Sequence, residues 1–424
     1  MGLFPWLLGG APGFSSPQVP VVSNLWNATV PSGLDPTGVL DSYPGLLAAI
    51  NAGGMIAIPP GRYRCKGALP YSSNGTVVYG TGPGATTIAA DDSGGNLGGF
   101  IRCTNLSDCG LYNVTLDAVS ARTAGDAIFA SGGDSGQTGI DVLIPSRFKV
   151  YGVNMKNQFN GIHIQDAAGP VRNWIVDVQG GHWQEFGNGG SPIWIDCGNL
   201  SGGSPGASHT FSNLFLSNVS GLSSTALSGI RISGGGDITF NDVKTWGFQH
   251  GVYCDAPAGR LVQAIQMVNM QFDTCSLEAF LVAPNATATC TAWKLTNIWI
   301  GNSSSDGIRL TGSASSINQF QLTNVGMKAL PTVGKWGLIM DGCSDVLCTN
   351  LMMNDGASGV QNGVKFTGNA ANCGVVGARL KVVGPRYQID AGCTNSTIVG
   401  VNGTGSGAGT DAGTGSKIDA ASNI

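Results

Sequence analysis

Charge is scarce in this chain. Only 11% of its 424 residues are Asp, Glu, Lys or Arg, and glutamate occurs twice, at Glu185 and Glu278. Lysine and arginine form no run, the first basic residue is Arg62, and the formal net charge is −4. Nothing supplies the cationic surface that a nucleic-acid partner requires. Low net charge with an ordinary apolar content also excludes a chain held open by self-repulsion. There is no CxxC pair and no Cys/His spacing of a zinc site, so neither a metal nor a cofactor is expected. Long apolar runs are missing too. The opening Met1-Gly-Leu-Phe-Pro-Trp-Leu-Leu-Gly-Gly lacks the basic start and the small-residue cleavage site of a secretory signal. It is also too short to span a bilayer. It leaves Leu3, Phe4, Trp6, Leu7 and Leu8 as an apolar peptide that is costly to keep in water. Residues 1–30 therefore read as an arm that folds back on the body or docks into a partner.

What the chain has in excess is glycine, 67 residues of it, and a rhythm. Asparagines recur at Asn213, Asn241, Asn269, Asn297, Asn324 and Asn350, spaced by 28, 28, 28, 27 and 26. A second phrase keeps time with them, in Gly229-Ile-Arg-Ile, Gly251-Val-Tyr-Cys, Gly307-Ile-Arg-Leu and Gly363-Val-Lys-Phe. A period in the twenties, with short apolar strands and no helical connectors, predicts stacked coils around one continuous core. The fold class expected is all-β, a parallel β-helix, right-handed by the general preference of parallel crossovers. The recurrent asparagines are expected to stack as an amide ladder in one turn column. The repeat covers residues 31–400; residues 401–424, rich in Gly, Ser, Thr and Ala, read as a loose or partner-ordered tail. The eleven cysteines fall mostly on strand positions. Cys103/Cys109 and Cys343/Cys348 are near enough in sequence to pair, but buried, reduced thiols made in a cytoplasm are the expectation.

Stacked coils turn sequence slots into columns. The outward slot of the repeated phrase holds His163, Trp194, Arg231, Tyr253, Leu281, Arg309, Ile339, Lys365 and Gln388. The slot two residues on holds Asp196, Ser233, Asp255, Asp341 and Asp390. Aromatic rings cover sugar C–H surfaces and arginine pairs with sugar acids. His163, Trp194, Arg231, Tyr253 and Arg309 are accordingly the expected saccharide-binding residues. Asp196 and Asp255, two coils apart, should have Cα atoms roughly 9–10 Å apart at the ~4.8 Å strand spacing. Side-chain tilt could bring their carboxyls into the ~6.5–9.5 Å window of an inverting glycosidase, with Arg231 between them to orient an acidic sugar or depress one carboxyl. Asp at a strand end also commonly caps a turn. Glu185, in the irregular His182-Trp-Gln-Glu-Phe-Gly-Asn, is the best single acid.

A short helix is predicted over residues 42–54, with Leu46, Leu47 and Ile50 on its apolar face. Leu47-Ala-Ala-Ile, then Ile56-Ala-Ile-Pro-Pro-Gly-Arg-Tyr, then Val78-Tyr-Gly-Thr-Gly-Pro-Gly-Ala-Thr, together resemble the opening of the pectate-lyase-like superfamily. That superfamily includes phage tailspikes, capsule depolymerases and polysaccharide lyases, and the resemblance extends over roughly residues 35–400. It implies a parallel β-helix whose first coil is plugged by the short helix, which hides open strand edges. Among its members the chain looks most like a phage tailspike. That likeness implies a virion protein that binds, and could depolymerise, a host surface polysaccharide, and by analogy a homotrimer. Residues 1–30 would then dock onto a tail or baseplate protein. The alternatives are a non-catalytic fibre or receptor-binding spike and a secreted bacterial polysaccharidase. The motif sets of polygalacturonases and the Arg-rich signature of pectate lyases are not visible, so the activity does not follow from the fold.

Overall fold

The phrase Gly-Ile-x-Ile cannot bury itself. Its two aliphatic side chains point to one side of the strand and the residue between them to the other, so the apolar side needs a neighbour above and below. In the computed structural model, residues 28–132, 146–166, 172–197, 206–218, 225–313, 316–330, 332–354, 359–403 and 409–419 are described. In it each phrase lies parallel on the one before. Ile230 pairs with Val252, Val252 with Phe280, Phe280 with Ile308 and Ile308 with Leu338. The described residues form 33 strands in one stack, a parallel β-helix.

Each coil has three faces. Face 1 carries the phrase, as in Ile193–Asp196, His250–Cys254 and Ile308–Thr311. Faces 2 and 3 are the halves of one long strand, as in Thr289–Asn302, Ile317–Ala329 and Ser344–Met353. The bend between them falls at the asparagines: φ is 54° at Asn213, 55° at Asn269, 57° at Asn297, 56° at Asn324 and 54° at Asn350. Asparagine enters this left-handed region at less cost than other residues bearing a Cβ. Asn241 departs from the expected column. Ser212 pairs with Asn241 and Leu214 with Val243, so the bend belongs to Asp242, at φ 53°. Gly152, Gly180, Gly377 and Gly400 take the same position in the outer coils, all at positive φ. The column is thus a backbone requirement first and an amide ladder second. The ladder itself runs Asn350 to Asn324 to Asn297 to Asn269, each Nδ2 donating to the next Oδ1 at 3.0 Å.

Inward residues fill the lumen in files. Phe211 stacks on Phe240 at 5.0 Å between ring centroids and Trp293 on Phe320 at 5.1 Å. A fully buried side chain of this size contributes about 1.5–3 kcal/mol. All eleven cysteines are buried, and none is joined in a disulfide. Cys103 lies against Cys109 within one coil, whereas two other close approaches cross between coils: Cys254 Sγ is 3.5 Å from Cys290 Sγ, and Cys343 Sγ is 3.9 Å from Cys373 Sγ. The sulfur next to Cys343 is therefore that of Cys373, one coil on.

The lumen is closed at its first coil by the helix Tyr43–Ala52, which begins with Pro44 in its first turn and ends at Gly53 with φ 72°. Leu46, Ala49 and Ile50 are its buried residues; Leu47, expected inward, is only half-buried. Leu46 and Ile50 meet Ile56, Ile58, Leu69 and Val78 at the open end of the core. Among the described residues, stacking continues beyond Val401 into the segment expected as a loose or partner-ordered tail. Thr410–Asp411 pairs with Tyr387–Ile389, and Lys417–Asp419 with Thr397–Val399. The apolar peptide at residues 3–8 lies outside the described residues. No helix among the described residues is long and apolar enough to cross a membrane.

Candidate functional site

The outward column of face 1 is continuous. His163 pairs with Trp194, Trp194 with Arg231, Arg231 with Tyr253, and the register carries on through Leu281, Arg309, Ile339 and Lys365 to Gln388. Phe129 extends it downward, paired with His163. The side chains touch as the register requires. The Phe129 ring meets the His163 ring edge-on at 5.5 Å, and His163 lies flat against Trp194 at 3.9 Å and 3°. The Arg231 guanidinium sits 4.6 Å from the Trp194 ring centroid. Trp194 is further fixed by its indole N–H, which donates to Ser233 Oγ at 3.1 Å. Cation–π contact and stacking each contribute about 0.5–1.5 kcal/mol beyond area burial. The column is consequently an interlocked stack in which the rings cover one another's faces, rather than a set of loose side chains.

A second column, three residues earlier in each coil, was not singled out from the sequence. It holds Asp126, Asn160, Ser191, Ser228, His250, Glu278 and Asp306, and most of these polar side chains are buried. Asn160 Nδ2 donates to Asp126 Oδ1 at 2.9 Å, and Asn160 Oδ1 accepts the Ser191 N–H at 2.9 Å. The signal was available. A polar residue stands directly before the glycine of the repeated phrase in Asn160-Gly-Ile, Ser228-Gly-Ile, His250-Gly-Val and Asp306-Gly-Ile.

The two columns meet in charged groups at two places. At the first, His163 Nδ1 lies 3.3 Å from Asp126 Oδ2. Over this pair opens a cleft of about 510 Å³ lined by Arg102, Phe129, Phe159 and Trp194. At the second, His250 Nδ1 lies 3.5 Å from Glu278 Oε2, and Ser305 Oγ donates to Glu278 Oε1 at 2.9 Å. Asp306 accepts the Trp336 N–H at 2.8 Å, and its burial raises its pKa. Burial likewise lowers the pKa of His250, with Glu278 opposing. Arg309 is 3.7 Å from Asp306 and 3.6 Å from Asp341, a fork between two carboxylates.

The carboxylates selected from the sequence are each matched to a cation. Asp255 Oδ2 accepts from Arg231 Nε at 3.0 Å and Nη2 at 2.6 Å, while Oδ1 accepts from Ser233 Oγ at 2.6 Å. Asp196 lies 3.7 Å from Arg260. The register slips by one after Ile195, so Asp196 stands against Gly234 and Ser233 is the extra residue of a bulge. Glu185 belongs to another corner of the coil. It follows the face-3 half of the strand Arg172–Gln184, has φ 61°, and lies 3.3 Å from Lys156 Nζ. Tyr253 stacks on His250 at 5.0 Å rather than on Arg231. No group of three or more His, Cys, Asp or Glu side chains among the described residues could hold a metal.

No protein-family profile matches the chain, and no curated protein does. Solved structures do. The A-module of the mannuronan C-5 epimerase AlgE4 of Azotobacter vinelandii is similar at a TM-score of 0.55 and 15% identity, over 91% of this chain and 98% of that one. The pre-mature gene product 12 of bacteriophage phi29 is similar at 0.57 and 14%, over 89% of this chain and 56% of the other. Tailspike protein 3 of bacteriophage CBA120 is similar at 0.50 and 10%, over 91% and 58%. The chain thus spans a little over half of each phage protein. At these identities the likeness speaks to the fold alone, and there it agrees with the stacked strands: the chain is a parallel β-helix.

Proposed function

We propose that this chain is a tailspike-type protein of a virion and that face 1 binds a host surface polysaccharide. The observation that carries this reading is the stack of Phe129, His163, Trp194 and Arg231 beside an open cleft. A preformed stack of rings flanked by guanidinium groups suits a sugar chain with acidic substituents. Its ring edges offer apolar contact and its guanidinium groups pair with carboxylates at little further ordering cost. The names of two similar structures, a tailspike and a mannuronan-acting enzyme, support the same reading. Assembly as a homotrimer and docking through residues 1–30 belong to the proposal.

Cleavage of the bound chain by Asp196, Asp255 and Glu185 is a second reading, and a binding spike without catalysis is its rival. The ion pairs favour the rival, because both carboxylate oxygens of Asp255 are already occupied by hydrogen bonds from Arg231 and Ser233. The test is retention of the purified protein on bacterial capsule and lipopolysaccharide preparations, combined with reducing-end and unsaturated-uronate assays on the retained glycan. Retention lost in Trp194→Ala supports binding along face 1. Retention that is unchanged in a folded Trp194→Ala protein would sink it.

A further inference from the structure

One buried group on face 1 has an unmet bond next to open space. His163 is 7% exposed, and its Nε2 is buried with no hydrogen-bond partner among the described residues. Its other nitrogen faces Asp126 Oδ2 at 3.3 Å, and Asp126 is itself steadied by the Asn160 side-chain amide at 2.9 Å. A carboxylate at Nδ1 holds the imidazole proton there and leaves Nε2 as a lone-pair acceptor. A buried acceptor without a donor is costly, and one that lines a cleft calls for a functional explanation. The cleft that His163 lines measures about 510 Å³, within the ~300–1,000 Å³ typical of ligand sites. Its cation is Arg102, an exposed residue that donates to the carbonyls of Gly99 and Leu97, each at 2.9 Å, and is thereby splayed along the cleft wall.

We propose that this cleft is a subsite for one acidic sugar unit, with His163 Nε2 accepting a hydrogen bond from a sugar hydroxyl and Arg102 facing the sugar carboxylate. The inference rests on the polysaccharide reading above and adds the class of sugar and the residues that select it. Phe129 and Phe159 are the apolar walls. Trp194 both covers the imidazole and lines the cleft, so the sugar reaches Nε2 by tilting the indole against its bond to Ser233 and its contact with Arg231. The charged groups around His163 are Asp126 beside it, Arg102 across the cleft, and Arg231 with Asp255 beyond Trp194.

The experiment measures affinity of the full chain for alginate, polygalacturonate, hyaluronate and neutral dextran, with folding checked by circular dichroism. The wild-type protein should bind at least one of the three acidic polymers and not dextran. His163→Phe, which keeps a ring in the stack but removes the acceptor, and Arg102→Gln should each weaken that binding by about tenfold. Equal binding of dextran, or affinity unchanged in both folded variants, overturns the subsite while leaving polysaccharide binding intact. Binding of none of the four polymers, nor of capsule or lipopolysaccharide, overturns both. Nitrogen NMR of the free protein gives a test without any ligand. A proton on Nδ1 of His163 is expected, and a proton on Nε2 alone overturns the assignment.

Discussion

The Trp194 indole lies flat on the His163 imidazole, with ring centroids 3.9 Å apart and planes within 3°, and carries the Arg231 guanidinium in the coil beyond. Three side chains from three successive coils are thereby fixed as one surface. Trp194→Ala should remove the middle of that surface. The expected outcome is at least a tenfold loss of glycan affinity, read by titration, with a stability loss well below that of a lumen truncation because the ring faces outward.

Asp255 gives the sharpest test of catalysis. Asp255→Asn keeps the shape but removes the charge that two Arg231 nitrogens share. With 27% and 17% of the two side chains exposed, the loss of stability should be about 1 kcal/mol or less in urea titrations. Binding should persist, and any turnover of the host glycan should change by less than about tenfold. A drop of about a hundredfold or more would make Asp255 a general base.

The bend column can be tested by contrast. Asn297→Gly and Asn297→Ala both lose the amide bonds to Asn269 and Asn324, but only alanine must hold a Cβ at φ 57°. Alanine should therefore be the less stable by about 1–2 kcal/mol. Equal urea midpoints for the two variants would show that the ladder, rather than the backbone, sets the preference.

Acid should weaken the fold through His209. This side chain is wholly buried, accepts the Val176 N–H at 3.2 Å, and has its pKa lowered by burial to about 3. An unfolded imidazole titrates near 6.5. Between about pH 6.5 and pH 3 the unfolded chain binds a proton that the folded chain refuses, so stability falls as pH falls. The slope contributed by one such group is at most about 1.4 kcal/mol per pH unit, and the contribution is complete above about pH 6.5. His182 and His250, also lowered by burial, act in the same direction. His209→Asn should flatten the dependence between pH 7 and pH 5, and an unchanged slope would remove His209 as its source.

Oligomeric state has its own marker. Trp299 and Met352 lie in one outward column of face 3, and Leu347 and Val376 on face 2, at 38%, 54%, 44% and 41% exposure. Apolar groups so exposed along two adjoining faces suit burial against further copies. Light scattering should give about three times the chain mass of 43.2 kDa, and Trp299→Glu with Met352→Glu should return the monomer mass. A wild-type monomer at micromolar concentration would exclude the trimer.

The sequence by itself determined the fold. A repeat of about 27 residues with alternating apolar phrases admits one way of burying them all, so the coil stack, the face-1 column from His163 to Gln388 and the capping helix were all legible. The asparagine column was nearly so. Its one displaced member, Asn241, follows from Asp242, which tolerates the same left-handed backbone and takes the bend instead. What only the tertiary structure decided is which neighbours each outward side chain chooses. Asp255 turns to Arg231 and Ser233, Asp196 to Arg260 and Glu185 to Lys156, because rotamers and a one-residue bulge after Ile195 set those partners, and neither is periodic. Asp126 escaped notice for the same reason. Its pairing with His163 spans 37 residues, and it exists only because the coils bring the start of one strand beside the middle of the next.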